Sequence, residues 1–145
     1  MKRFLLLLLG LVPFPLGWLV NWLMMNGSSR WLPWYGVILA VIWFFLAYCF
    51  FPFAKNLVEA IVLLNLPAAV VLILLAVQQI FFHSYWLNAA RAWTQIFYLP
   101  LVFLVTNSLW WTPSLLPSYC IAFLLLVAVS LLGCVMRRRR LRKFS

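Results

Sequence analysis

Of the 145 residues in this chain, 68% are hydrophobic, 19% aromatic and only 8% charged. Soluble domains carry roughly 25% charged residues, so this chain lacks the polar side chains to build a water-facing shell, and its main solvent is expected to be lipid. The net charge of +10 arises from eleven Lys and Arg against one acid, Glu59. A single acid excludes a carboxylate pair for acid–base catalysis and an acidic metal cluster within one chain.

The expected fold is an all-α polytopic integral membrane protein with five hydrophobic segments, at about 4–25, 33–53, 57–82, 95–111 and 116–136. About 20 residues at a rise of ~1.5 Å suffice to cross a bilayer core. The second, third and fifth segments meet that length without strain. The first begins with Lys2 and Arg3 but carries Pro13, Pro15, Trp18 and Trp22 where a signal-peptidase site would lie, so it reads as an uncleaved membrane segment. Its two prolines near the midpoint predict a kinked span or a re-entrant hairpin. The fourth segment is short, contains Pro100 and runs into Thr106, Asn107 and Ser108. Four or five segments are therefore expected to span, with one of these two re-entrant in the four-span case. Connections are short, and tryptophans at 31, 34, 86, 93, 110 and 111 fall at the predicted boundaries, where amphipathic rings favour the headgroup level. This organisation is one helical domain over 1–136, followed by a basic tail over 137–145.

That tail holds Arg137, Arg138, Arg139, Arg140, Arg142 and Lys143, six cations in seven residues. Basic residues beside spans stay on the cytoplasmic face, which places the C-terminus inside. With five spans, Arg30, Arg91 and the tail put eight cations inside against Lys2, Arg3 and Lys55. If the fourth segment only dips in, nine lie inside against Arg30 and Arg91; if the first does, ten lie inside against Lys55. Both four-span arrangements fit the rule better, and both place the two termini in the cytoplasm. A nucleic-acid segment would interleave its cations with polar or aromatic readers on an exposed surface. Abutting an apolar helix, this cluster instead reads as an orientation anchor that also attracts anionic lipid headgroups.

Chemically assertive residues are few. Cys49, Cys120 and Cys134 lie in apolar stretches without metal-ligand spacing. His83 is the one histidine, and Glu59 lies far from it along the same segment, so no relay of the two forms within a monomer. Glu59, four residues after Lys55, suits the first turn of the third helix. No cofactor and no metal site is expected, and no enzymatic activity.

In the third segment Asn65, Ala68, Ala69, Leu72, Ala76, Gln79 and His83 fall on one helical stripe, with Gln78 on another side. The fifth segment carries a similar stripe of Ser118, Ala122, Leu125, Val129 and Gly133. Small residues allow close helix approach, and amides hydrogen-bond across such contacts. These stripes are expected to be packing faces, against each other or against a partner. The expected function is a non-catalytic accessory or scaffolding subunit of a membrane complex, associating with other membrane subunits or with itself. The rival expectation is a small oligomeric transporter or channel with a polar path through Asn65, Gln79 and Asn107, near a helix kink at Pro67.

Overall fold

The computed structural model describes residues 2–27, 32–82, 89–106 and 116–143. Six α-helices follow one another: α1 (Lys2–Leu9), α2 (Pro13–Met25), α3 (Leu32–Phe50), α4 (Leu57–Phe82), α5 (Ala89–Thr106) and α6 (Leu116–Lys143), with a 3-10 turn at Phe51–Phe53 after α3. No strand occurs among the described residues. Four helical stretches are long and apolar enough to cross a membrane: Lys2–Met25, Trp34–Phe53, Leu57–Phe81 and Leu116–Lys143.

The first of these bends at its prolines. Pro13 and Pro15 have no amide proton to continue the ladder. Around them the hydrogen bonds tighten from i→i−4, as in Gly10 N–H to Leu6 C=O at 3.0 Å, to i→i−3, as in Val12 to Leu9 at 3.1 Å and Phe14 to Leu11 at 2.9 Å. The chain bends but does not reverse, so α1 and α2 form one kinked stretch of spanning length rather than a hairpin. The bend lies against α4: a Cβ on Gly10 would stand 2.6 Å from the Leu64 carbonyl oxygen and 2.8 Å from the Pro67 ring. α2 then ends at Asn26, and Gly27 turns the chain with φ +81°, a left-handed conformation that glycine adopts freely.

α5 is the short element. Its apolar part, Trp93–Thr106, falls below the length of the other four. Contacts among the rest show where it lies. Arg3 of α1 meets Glu59 in the first turn of α4, Lys2 lies over the Phe53 ring, and Arg140 of α6 meets Tyr48 near the end of α3. The start of α1, the end of α3, the start of α4 and the end of α6 therefore share one end of the bundle. α4 leaves that end and α6 returns to it, so α5, between them, is entered and left at the other. It packs there against α2 and α3: a Cβ on Gly17 would collide with the Ile96 carbonyl, and one on Gly36 would stand 2.7 Å from the Pro100 carbonyl oxygen.

The core is shared by α3, α4, α5 and α6, with Leu39, Trp43, Leu64, Ala68, Leu75, Phe97, Tyr98, Leu101 and Leu126 fully or almost fully buried. Around it the perimeter is apolar as well, with Trp18, Phe45, Ile73, Phe81 and Leu124 among many large side chains left exposed. Another close helix crossing is that of α6 on α3. A Cβ on Gly133 would stand 2.7 Å from the Phe44 carbonyl oxygen and 3.0 Å from the Ala47 Cβ, so only a residue without a side chain permits this approach. Gly133→Val should lower stability by about 1–3 kcal/mol, the usual penalty of an overfilled contact. Thermal unfolding in detergent measures it, and an unchanged midpoint would mean that the two helices do not meet at this depth.

Candidate functional site

Polar side chains within an apolar bundle need partners among themselves. Ser130, at the middle of α6, is completely buried and supplies the main junction. Its hydroxyl donates to the Leu126 carbonyl at 2.7 Å and accepts from the Trp43 indole Nε1–H of α3 at 2.9 Å. It also accepts from the Asn65 Nδ2–H of α4 at 2.9 Å, while the same amide nitrogen donates to the Ile61 carbonyl at 2.9 Å. One hydroxyl thus joins three helices. Asn65 Oδ1 is left buried without a hydrogen-bond partner in this node, and Gln78 Oε1 likewise lacks one further along α4. A second link, Tyr98 Oη–H to the Ala68 carbonyl at 2.6 Å, ties α5 to α4.

The small-residue stripes divide between these contacts. Ser118, Ala122 and Gly133 of α6 are all buried inside the chain, and so are Asn65 and Ala68 of α4. Ala69, Ala76 and Gln79 are half-buried at the rim of α4. The fully buried line of α4 runs through Ala60, Leu64, Ala68, Val71, Leu75 and Gln78, rotated from the sequence stripe so that Gln78 rather than Gln79 turns inward. Asn65, bonded to Ser130, and Ala68, whose carbonyl meets Tyr98, are buried members of the sequence stripe. The α6 stripe likewise shifts, through Leu126 and Ser130 in place of the half-buried Leu125 and Val129. Asn107 and His83 lie outside the described residues.

Glu59 sits where the sequence suggested, but with different partners. Asn56 caps α4 by accepting the Glu59 N–H at 2.7 Å, and Glu59 reaches back to accept the Lys55 backbone N–H at 2.6 Å, a reciprocal arrangement of the capping-box kind. Its ion pair is with Arg3 of α1, Nε to Oε1 at 2.7 Å, rather than with the Lys55 side chain. A sequence separation of more than fifty residues hid that pairing.

At the same end, α6 stays helical through Lys143, so the arginine cluster extends a rigid element. Arg137 stacks its guanidinium over the Tyr48 ring at 5.3 Å, and Arg140 Nη1 donates to the Tyr48 hydroxyl at 2.9 Å. Lys2, Arg3, Lys55 and the six tail cations all lie toward this end, and Arg3 holds the carboxylate of Glu59. A cleft of about 470 Å³ opens among them, lined by Phe51, Lys55, Asn56, Leu57, Val58 and Arg138. Arg30 and the side chain of Arg91 lie outside the described residues. No group of three or more potential metal ligands occurs among the described residues.

Comparison with protein-family models, with characterised proteins and with solved structures gives no match to any of the three. The side chains themselves carry the argument for function.

Removing the Ser130 hydroxyl leaves the Trp43 N–H and one Asn65 N–H without their shared acceptor. Ser130→Ala should therefore cost about 1–3 kcal/mol, the penalty for a stranded buried donor. Adding Trp43→Phe to that background should cost less than it does in the wild type. A double-mutant cycle on unfolding in detergent reads the coupling, and strictly additive losses would dissolve the junction.

Proposed function

We propose that this chain is a small integral membrane protein of the plasma (inner) membrane. In this reading it works without catalysis, as an accessory or scaffolding subunit held to its partners by helix–helix packing. Four helices of spanning length and an apolar perimeter support the membrane setting. The observation that carries the role is the division of the small residues of α4. Ala68 is consumed in the fold, whereas Ala69 and Ala76 sit at the rim. Ala69 opens an apolar groove of about 320 Å³ with Ile61, Val62, Leu66, Phe123 and Val127, where α4 and α6 meet on the outside. Small residues on an outer face permit the close approach that membrane helices need, because lipid supplies no hydrophobic drive between them.

The orientation follows from charge. Nine cations gather with both termini at one end of the bundle, and such clusters are held on the cytoplasmic face. Protease added to inverted vesicles should trim the Arg137–Lys143 region, and protease added outside intact cells should leave it whole. The opposite pattern overturns the orientation.

The double substitution Ala69→Leu with Ala76→Leu should abolish co-purification of partner subunits in mild detergent while shifting stability by less than about 1 kcal/mol, as rim positions away from the core do. Partners retained at wild-type level would sink the scaffolding role. The rival reading, a small transporter, draws on the two unpaired buried acceptors, Asn65 Oδ1 and Gln78 Oε1. It predicts solute flux in liposomes that Asn65→Ala abolishes while assembly persists.

A further inference from the structure

We propose that the cleft between the turn leading into α4 and the C-terminal part of α6 is a binding site for a phosphate group, presented by an anionic lipid headgroup. This inference requires the membrane setting but not the accessory-subunit role. Its volume of about 470 Å³ lies within the range of ligand pockets, roughly 300–1,000 Å³. Two cations from distant parts of the chain, Lys55 and Arg138, line it, and both are exposed.

Neither has a carboxylate partner among the described residues, because the one acidic side chain is engaged elsewhere. Glu59 binds Arg3 through one oxygen and the Lys55 backbone N–H through the other. The cleft is thereby left with positive charge and no counter-ion from the protein. Leu57 and Val58, the first two residues of α4, form another part of its wall. The cap at Asn56 takes the N–H of Glu59 through its side chain and that of Ala60 through its carbonyl. The amides of Leu57 and Val58 are given no such acceptor, and amides at this position favour an anion. Arginine and a lysine ammonium together suit phosphate oxygens, the former in two-pronged fashion.

The remaining walls, Phe51 and the side chains of Leu57 and Val58, are apolar and adjoin the spanning helices. A group that joins an anionic head to a hydrocarbon body matches this mixture better than a free ion does. The tail arginines contribute to the surrounding potential. The geometry of the cleft singles out Lys55 and Arg138 among the cations of this end.

The test uses the full-length protein in nanodiscs of phosphatidylcholine alone or of phosphatidylcholine with phosphatidylglycerol. Lipid retention is read by native mass spectrometry, and thermal stability is measured in parallel. Anionic lipid should be retained at about one molecule per chain and should raise the melting temperature. Lys55→Gln with Arg138→Gln should weaken retention about tenfold or more, since both charge-assisted contacts are lost. Arg142→Gln with Lys143→Gln removes equal charge outside the cleft and should leave retention within about twofold, because that pair contributes only general attraction. Equal losses from both pairs would overturn the proposal in favour of diffuse attraction. Stabilisation by inorganic phosphate in phosphatidylcholine discs, matching that by phosphatidylglycerol and lost in the cleft variant alone, would keep the phosphate site but overturn its lipid source. Partner co-purification by the cleft variant is measured separately, so a failure here leaves the scaffolding role untouched, and the converse.

Discussion

Three helices meet at the hydroxyl of Ser130, and the shape of the bundle depends on that meeting. A serine hydroxyl has one proton and two lone pairs, and here all three are in use: Leu126 takes the proton, and Trp43 and Asn65 each supply a donor. In the membrane setting proposed above, apolar side chains gain little by touching one another rather than lipid, so burial does not choose which face of a helix turns inward. Directional contacts do. Each is worth only about 0.6–2 kcal/mol in such surroundings, yet together the Ser130 junction and the Tyr98–Ala68 bond fix the rotation of α3, α4, α5 and α6 about their axes.

Close approach supplies what burial does not. Gly10 lies against Pro67, Gly17 against Ile96 and Gly133 against Phe44 and Ala47, each at a distance that a Cβ would prevent. Dispersion grows steeply as backbones draw together, and a short separation lets side chains such as Cys134 reach a neighbouring carbonyl, here that of Ala47 at 3.6 Å. The prolines fit the same scheme. The bend before Pro13 and Pro15 lies beside Pro67 of α4, with Gly10 and Pro13 buried at that contact.

This also explains how much could be read from the residues alone. Length and hydropathy located the first three long helices to within a few residues and the start of the last, whose end lies seven residues further on, and the charge count favoured arrangements with both ends on one side. Helix rotation was not legible, because a segment such as Leu57–Phe82 is apolar on every side and its polar residues are too few to mark a face. The stripe through Asn65 and Ala68 was visible; that Gln78 lies inside and Gln79 at the rim depends on Ser130 and Tyr98, far away in sequence. The Arg3–Glu59 pair was hidden for the same reason, whereas the N-terminal placement of Glu59 was a local matter and could be read directly. In the tail the arginines were plain, but the continuation of the helix through them was not, since the aromatic partner that steadies it, Tyr48, belongs to α3.

The solitary carboxylate has a consequence for the whole basic end. Had Lys55 and Glu59 paired through their side chains, as their spacing permits, Arg3 would be the unmatched cation and the cleft would keep the charge of Arg138 alone. Instead the backbone N–H of Lys55 meets the carboxylate, leaving its ammonium free, and Arg3 fastens the start of α1 to the start of α4. One ion pair thereby does two things: it closes the kinked first span onto the bundle, and it shifts the uncompensated charge to the gap between α4 and α6. An exposed pair of this kind contributes little stability, about 0–1 kcal/mol. Its larger effect is on where positive charge is left over, and with it on the field that this end of the protein presents to anionic groups.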